Sequence, residues 1–210
     1  METAIVAFTT FFATVAPLDA TAMFVALTPT ASHASRRSMA IRGTMISAAI
    51  LLSFALVGEI VLSTLGISLA ALKVSGGILL LLIGIDMVFA RSSGGTSTTQ
   101  EEDDEAITRQ DIAVFPLATP LIAGPGAMGA TILLMADAKG DLLTEAIIII
   151  ALLVVLLLTL FMLLLATRVQ RLFGVTGMYV ISRVFGVLLS ALAVQFMIDG
   201  LAQSGLLQVN

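Results

Sequence analysis

The feature that most constrains the fold of this chain is a series of apolar segments, each long enough to cross a lipid bilayer. A helix needs about 20 predominantly apolar residues to cross about 30 Å of hydrocarbon. The sequence therefore predicts an all-α, polytopic membrane protein with six transmembrane helices. The predicted spans cover residues 3–27, 43–65, 67–90, 112–135, 142–166 and 175–202.

The composition supports this class and excludes several kinds of site. Of the 210 residues, 59% are hydrophobic and 11% are charged, a profile typical of membrane proteins. Cysteine is absent, so a disulfide framework, a thiolate metal site and a cysteine nucleophile are all excluded. The single histidine, His33, lies in a polar stretch that we expect to be a solvated loop, because a metal site needs converging ligands. No nucleotide-binding loop occurs, so we expect neither direct use of ATP nor a cofactor.

A polar and acidic stretch divides the chain. Residues 92–100 are rich in serine, glycine and threonine, and an acidic run follows at 101–105. Such a composition cannot bury a core, so residues 92–111 are predicted to form a solvated linker. The linker separates two predicted units, 1–91 and 112–210. An acidic regulatory motif is the alternative interpretation.

The basic residues predict how the chain is oriented in the membrane. With both termini outside, the arginines near helix ends fall on the cytoplasmic side and only Lys139 falls outside, in agreement with the positive-inside rule. The first residues lack the basic region of a signal peptide, so we expect the first apolar run to remain in the protein. We therefore predict a multipass protein of the inner membrane with a cytoplasmic linker. The arginines are Arg36, Arg37, Arg42, Arg91, Arg109, Arg168 and Arg171.

The fourth apolar segment contains a stretch that cannot form one continuous helix. Residues 115–126 include prolines at 116, 120 and 125 and glycines at 124 and 126. Proline lacks the N–H that closes the helical ladder, and its ring clashes with the preceding turn. Backbone groups released in this way are tolerated at membrane depth only against protein or a wet cavity, and broken helices line substrate sites in transporters. A kink that serves packing alone is the alternative.

Similar features recur in the two units in the same order, which predicts an internal repeat. The first helix of each unit carries an internal proline–leucine pair, at residues 17–18 and 120–121, so we expect the first and fourth helices both to be broken. The last helix of each unit begins after a glycine, Gly66 or Gly174, and then carries a basic residue and a glycine-led apolar run. Three crossings per unit make the units antiparallel, as in inverted-repeat transporters. Chance similarity between leucine-rich helices is the alternative.

Four charged residues fall well inside the predicted spans. A charge at the bilayer centre costs about 2.5–3.5 kcal/mol on insertion scales, so such residues are expected to face the protein interior and to find partners. Glu59 and Lys73 are equally distant from the turn at Gly66, so we predict that they pair. Asp19 and Arg183 lie at similar depths on the cytoplasmic side, so we predict a second pair that bridges the units. These pairs either fix helix register or place a charge for substrate or a coupling proton.

The proline–glycine stretch at 116–127 resembles the signature of the MarC family of bacterial and archaeal membrane proteins. Shorter matches extend the resemblance over nearly the whole chain outside the linker. The resemblance implies six transmembrane helices and, for some members, transport of small neutral amino acids such as glycine and alanine. The family usually has asparagine before the proline of the first helix, where this chain has Ala16, so that polar contact is missing unless Asp19 or Thr14 replaces it. The shorter matches lie at 66–68, 76–80, 182–186 and 193–196.

The helix breaks predict a substrate site. Helix N-termini carry partial positive charge and can hold a carboxylate, whereas freed carbonyl groups can hold an ammonium group. A small amino acid presents both groups, and glycines let the backbone approach it closely. The candidate substrate-binding residues are Pro17, Asp19, Thr119, Pro120, Ala123, Gly124, Pro125, Gly126 and Arg183.

We therefore expect a secondary transporter of small neutral amino acids that works by alternating access. A proton or sodium ion is left open as a coupling partner, as is a homo-oligomer, and no nucleic acid is expected. An enzyme is not expected, because the helices carry no His-rich cluster, Ser-Lys motif or paired-Asp motif. The alternatives are a non-transporting membrane scaffold or assembly factor, or an exporter of another small polar solute.

Overall fold

The computed structural model describes residues 2–28, 31–89, 111–138 and 140–205, without the side chains of residues 59, 167, 169–176 and 178. Within these ranges the chain is helical and contains no strand, which confirms the predicted all-α class. The elements are α1 (Glu2–Val15), α2 (Pro17–Leu27), α3 (His33–Thr64), α4 (Leu69–Phe89), an irregular, π-helical proline segment (Ala113–Ile122), α5 (Pro125–Asp137), α6 (Leu142–Leu164) and α7 (Ala166–Gln203).

Membrane-spanning length and hydrophobicity are found in five helical stretches, one of which combines α1 and α2. The proline segment and α5 meet at an angle of 53° and together could form a sixth span. The described part of the chain is therefore helical and contains five to six candidate spans. Except for Asp111, the predicted linker at 92–111 lies outside the described residues, as do Arg91 and Lys139.

Two predicted helix boundaries and the predicted position of the histidine were wrong. Helix α3 begins at His33 and not near residue 43, because the Ser32 hydroxyl caps the helix by accepting the backbone N–H of Ser35 at 3.2 Å. His33 is therefore the first residue of a helix and not a loop residue. Helix α7 begins at Ala166 and continues through Gly174, so the predicted turn at that glycine does not occur. The turn at Gly66 does occur, with a φ of 70°.

The first predicted break is confined to one residue. Pro17 cannot donate a backbone hydrogen bond, and a residue before proline is disfavoured in the helical region. Ala16 accordingly adopts the left-handed conformation, with φ 45° and ψ 65°. Hydrogen bonding resumes at once, since the Ala20 N–H donates to the Ala16 carbonyl at 3.0 Å. The first span is thus two helices, α1 and α2, that change direction at Ala16.

The second predicted break is longer. Phe115 and Thr119 have extended backbone, and each precedes a cis peptide bond to proline. Each lies within a wide turn: the Leu117 N–H donates to the Ile112 carbonyl at 3.1 Å, and the Ala123 N–H donates to the Ala118 carbonyl at 2.9 Å. A regular helix resumes only at Pro125. The prolines thus interrupt the span for about ten residues, as the sequence predicted.

The two broken helices pack against each other in opposite directions. Helix α1 contacts α5, and α2 contacts the proline segment, so each half of one span lies beside the opposite half of the other. The two breaks therefore lie at the same level of the protein. Helix α3 supports the proline segment and α5, while α6 supports α1 and α2. Gly43 of α3 makes this packing close, because a Cβ there would lie 3.1 Å from the Ala113 carbonyl oxygen.

Helices α4 and α7 form an antiparallel pair that depends on glycine. A Cβ at Gly77 would lie 2.7 Å from the Ala193 carbonyl oxygen and 3.2 Å from the Met197 nitrogen. A Cβ at Gly186 would lie 2.9 Å from the carbonyl oxygen of Gly84 and 3.1 Å from the nitrogen of residue 88. Such distances leave room only for hydrogen, and small residues of this kind allow close helix packing in membranes.

Candidate functional site

At the second break, α5 begins with a buried N-terminus that no side chain caps. Gly124 precedes α5 in an extended conformation, with φ −81° and ψ 170°, and makes no side-chain cap hydrogen bond. The first turn carries no acidic residue, and Gly126 and Ala127 within it are buried. The free N–H groups of a helix N-terminus carry a partial positive charge. This end of α5 therefore favours a bound anion such as a carboxylate.

The first break has the opposite electrostatic character. Ala16 provides no side-chain cap to α2, and Asp19 lies in the first turn of that helix. Asp19 is partly buried, and the Ser182 hydroxyl donates to its Oδ1 at 2.9 Å. Among the described residues, no basic side chain lies within ion-pair distance of this carboxylate. The N-terminus of α2 thus presents a negative charge with unused acceptor capacity, which favours a bound cation.

The structure brings most of the predicted site residues to these two breaks. Pro17, Ala123, Gly124 and Gly126 are buried at the breaks. Thr119 and Pro120 of the proline segment are partly buried. Pro125 lies at the second break but is exposed.

The predicted pair between Asp19 and Arg183 was wrong. Arg183 is exposed, and the neighbouring Ser182 is the residue that faces Asp19. Successive residues of a helix point about 100° apart, so a shift of one position turns a side chain from one face to another. Arg183 therefore does not belong to the buried site.

The predicted pair between Glu59 and Lys73 stays a prediction, whereas the structure shows Asp137 as a partner of Lys73. The ammonium group of Lys73 lies 2.5 Å from Asp137 Oδ1, and the lysine side chain is only 3% exposed. Helix α4 packs on α7 and α5, which places Lys73 beside the end of α5. The side chain of Glu59 lies outside the described residues.

Buried hydroxyl groups line the helices near the breaks. Thr14 donates to the Thr10 carbonyl at 2.9 Å, Thr21 to the Pro17 carbonyl at 2.6 Å, and Thr131 to the Ala127 carbonyl at 2.7 Å. The fully buried Thr10 is different, since its hydroxyl finds no partner within the described residues. Sequence reasoning missed Thr10. Its signal was the four-residue spacing of Thr10 and Thr14, which places both on one face of α1.

An ion pair fixes the start of the proline segment. Arg42 of α3 donates to Asp111 Oδ2 at 2.7 Å, and the Ala113 N–H donates to Asp111 Oδ1 at 3.0 Å. These donors hold the pKa of the Asp111 carboxyl below its ordinary value, with the backbone N–H as the larger cause. In the part of the chain that the structure describes, no cluster of His, Cys, Asp and Glu could hold a metal ion.

Comparison with known proteins identifies the family. Residues 1–204 match the family described as MarC family integral membrane protein. A UPF0056 membrane protein of Methanocaldococcus jannaschii is 39% identical over 94% of this chain and 95% of its own length. Similar proteins of Archaeoglobus fulgidus and Escherichia coli K12 are 34% and 31% identical, over 93% and 90% of this chain and 91% and 87% of their own lengths. No solved structure matches the chain. The protein therefore belongs to the MarC family of integral membrane proteins.

Proposed function

We propose that this protein is a secondary transporter that moves small neutral amino acids, of the glycine and alanine type, across the inner membrane. The observation that carries the proposal is the meeting of two broken, oppositely directed helices whose breaks lie at the same level. Irregular backbone inside a membrane protein is tolerated where it lines a protein-enclosed or wet site. In transporters of known mechanism such breaks form the substrate site.

The opposite electrostatic character of the two breaks suits a zwitterion. The carboxylate of the substrate binds the N-terminus of α5 near Gly126, where no acidic side chain competes. Its ammonium group binds Asp19, which has only Ser182 as a side-chain partner among the described residues. The buried Ala123 and Gly124 leave little room for a substrate side chain. Asp19 then takes the role of the polar residue that the family usually carries at position 16.

Alternating access follows if the two units are inverted repeats, and three structural correspondences support that arrangement. The N-caps Ala16 and Gly124 are 108 positions apart. The N-caps Ser32 and Asp141 are 109 apart. The buried glycines of the α4–α7 pair, at 77 and 186, are also 109 apart, and each approaches a carbonyl oxygen and a nitrogen at corresponding positions of the other helix.

This register changes two of the sequence pairings. Pro17 corresponds to Pro125 and not to Pro120, because both residues begin the helix after a break. Lys73 corresponds to Ser182 and not to Arg183. Rocking of one repeat against the other then exposes the site alternately to the two sides, with both termini outside and a proton or sodium ion as the candidate coupling ion.

The test is counterflow of labelled glycine and alanine in liposomes that contain the purified protein. We expect saturable exchange of both amino acids and no exchange of glutamate or lysine. An imposed proton or sodium gradient that drives accumulation identifies the coupling ion. Absence of saturable exchange for every small neutral amino acid would contradict the proposal and favour a scaffold.

A matched pair of variants tests the role of Asp19. Asp19→Asn should weaken glycine binding about tenfold or more, because a hydrogen bond to a charged group contributes about 1.5–3 kcal/mol. Asp199→Asn is the control, because that carboxylate accepts a hydrogen bond from Gln195 within its own helix at 2.8 Å. Equal affinities of the two variants would exclude Asp19 from the site.

A further inference from the structure

The most deeply buried charge that the structure describes lies away from the two breaks. The ammonium group of Lys73 on α4 lies 2.5 Å from Asp137, the last residue of α5. The lysine side chain is 3% exposed and that of the aspartate is 39% exposed, so the pair sits at the edge of the buried region. Helix α7 covers the lysine stem, since a Cβ at Gly200 would lie 2.9 Å from Lys73 Cβ. One turn further along α4, Gly76 packs on Leu133 of α5.

The corresponding helix of the other repeat packs differently. Helix α7 contacts both halves of the first broken span, through the Phe185 and Phe12 rings, whose centroids are 4.2 Å apart, and through the hydrogen bond from Ser182 to Asp19. Helix α4 contacts α5 but makes no comparable contact with the proline segment, although both elements lie within the described residues. The second broken span is therefore covered by α4 only at the end where α5 finishes.

We propose that Lys73 and Asp137 form a gate that holds the transport site closed at the end of α5, while access remains between α4 and the proline segment. The inference rests on the proposed function. A lysine at this depth needs a counter-ion, so the pair favours the conformation in which α4 and α5 are in contact. Because the Asp137 side chain is already 39% exposed, its carboxylate can be hydrated when the helices separate.

The repeat register specifies contacts of the opposite state. If the two repeats exchange conformations, the contact between Gly76 and Leu133 disappears. The corresponding contact then forms between Phe185 of α7 and Val25 of α2. The contact between Gly76 and Leu133 therefore reports the closed gate, and the contact between Val25 and Phe185 reports the opposite state. The ion pair between Lys73 and Asp137 breaks when the gate opens.

Cysteine cross-linking tests the gate directly, because the chain contains no cysteine. A Cβ at Gly76 would lie 3.9 Å from Leu133 Cβ, which suits a disulfide. We expect the pair G76C/L133C to cross-link readily in membranes under mild oxidation. The pair V25C/F185C should cross-link only slowly, since it reports the less populated state. The single-cysteine variants under the same oxidation are the controls.

Removal of the gate charge should reverse this preference. Asp137→Asn should lower the cross-linking rate of G76C/L133C and raise that of V25C/F185C by about fivefold or more, because an ion pair present in only one state shifts the population toward that state. Asp199→Asn should change neither rate. Unchanged rates in the Asp137→Asn background would overturn the proposal.

A second measurement separates the gate from the transport function. Oxidised G76C/L133C protein in liposomes should lose counterflow but still bind glycine from the open side, and a reducing agent should restore counterflow. Counterflow that persists in the cross-linked protein contradicts the gate and leaves the transporter intact. If the parent protein moves no amino acid, the proposed function fails, and the cross-linking rates still report whether Asp137 controls the contact of α4 with α5.

Discussion

The two breaks lie at the same level of the protein but are built differently. At the first break, one left-handed residue, Ala16, turns the chain and Asp19 follows it. At the second, about ten residues of wide turns precede Gly124, and no acid follows. The first break is therefore a short bend with a negative charge, and the second is a longer irregular segment that ends at an uncapped helix N-terminus with a partial positive charge. A symmetric site would bind two like groups, whereas this difference suits a substrate with one group of each charge.

The largest expected effect is at the second break. Gly126→Leu places a branched side chain in the buried first turn of α5, where the substrate carboxylate is proposed to bind. We expect counterflow to be abolished while the protein still inserts and purifies. Gly129→Leu is the matched control on the same helix, since a Cβ at Gly129 would meet no atom within 4 Å. Equal loss in both variants would show that bulk alone, and not the site, is responsible.

The second largest effect is expected when the second break is given a carboxylate like that of the first. Ala127 is fully buried and corresponds to Asp19 in the proposed repeat register. Ala127→Asp therefore places a carboxylate at the N-terminus of α5 as well. Repulsion of the substrate carboxylate should lower glycine affinity about a hundredfold, since a like charge at close range in a partly dehydrated site costs several kcal/mol. Ala127→Asn is the control for size. Equal glycine affinities of the Asp and Asn variants would show that a negative charge at the α5 N-terminus does not affect substrate binding.

A smaller effect is expected from the backbone of the first break. Ala16 has a φ of 45°, where a Cβ costs about 1–2 kcal/mol. Ala16→Gly relieves this strain but increases the entropy of the unfolded chain, so we expect a net stabilisation of about 0.5–1 kcal/mol. Ala20→Gly, in the interior of α2, should destabilise by about 1 kcal/mol. Thermal unfolding in detergent measures both, and destabilisation by Ala16→Gly would contradict the strained bend.

The smallest effect is expected at Asp111, which connects the start of the proline segment to Arg42 of α3. The pKa of Asp111 is lowered by the Ala113 N–H and by Arg42, so its carboxylate stabilises the fold above the ordinary pKa of about 3.9 and loses that contribution as the pH falls through the folded pKa. Because both side chains are about half exposed, the contribution is at most about 1 kcal/mol. Asp111→Asn should lower the melting temperature slightly at pH 7, and the difference should disappear as the pH falls through the lowered pKa of the folded protein. A difference that is independent of pH would assign another role to Asp111.

The sequence predicted what depends on the backbone alone. Proline cannot donate the backbone hydrogen bond of a helix interior, whatever surrounds it, so Pro17 and the proline segment predicted both breaks. The long apolar runs likewise predicted the helices. The start of α3 was missed because the hydroxyl cap of Ser32 outweighed the polar composition of the first turns.

Side-chain partners were not predictable in the same way. Lys73 finds Asp137 because α4 packs on α5, and consecutive helices need not pack along each other. Asp19 finds Ser182 and not Arg183 because one position along α7 changes the face. The depth of a residue in the membrane can be estimated from its distance to a helix end in the sequence. The direction of its side chain depends on how the helices are rotated against one another.

Competition between glycine and its singly charged analogues tests the central claim most directly. Labelled glycine bound to the purified protein should be displaced by alanine but not by acetate, which lacks the ammonium group, or by glycinamide, which lacks the carboxylate. This result is predicted because the α5 N-terminus and Asp19 each bind one of the two groups. Displacement by either analogue at concentrations comparable to those of alanine would contradict a site formed by two breaks of opposite charge.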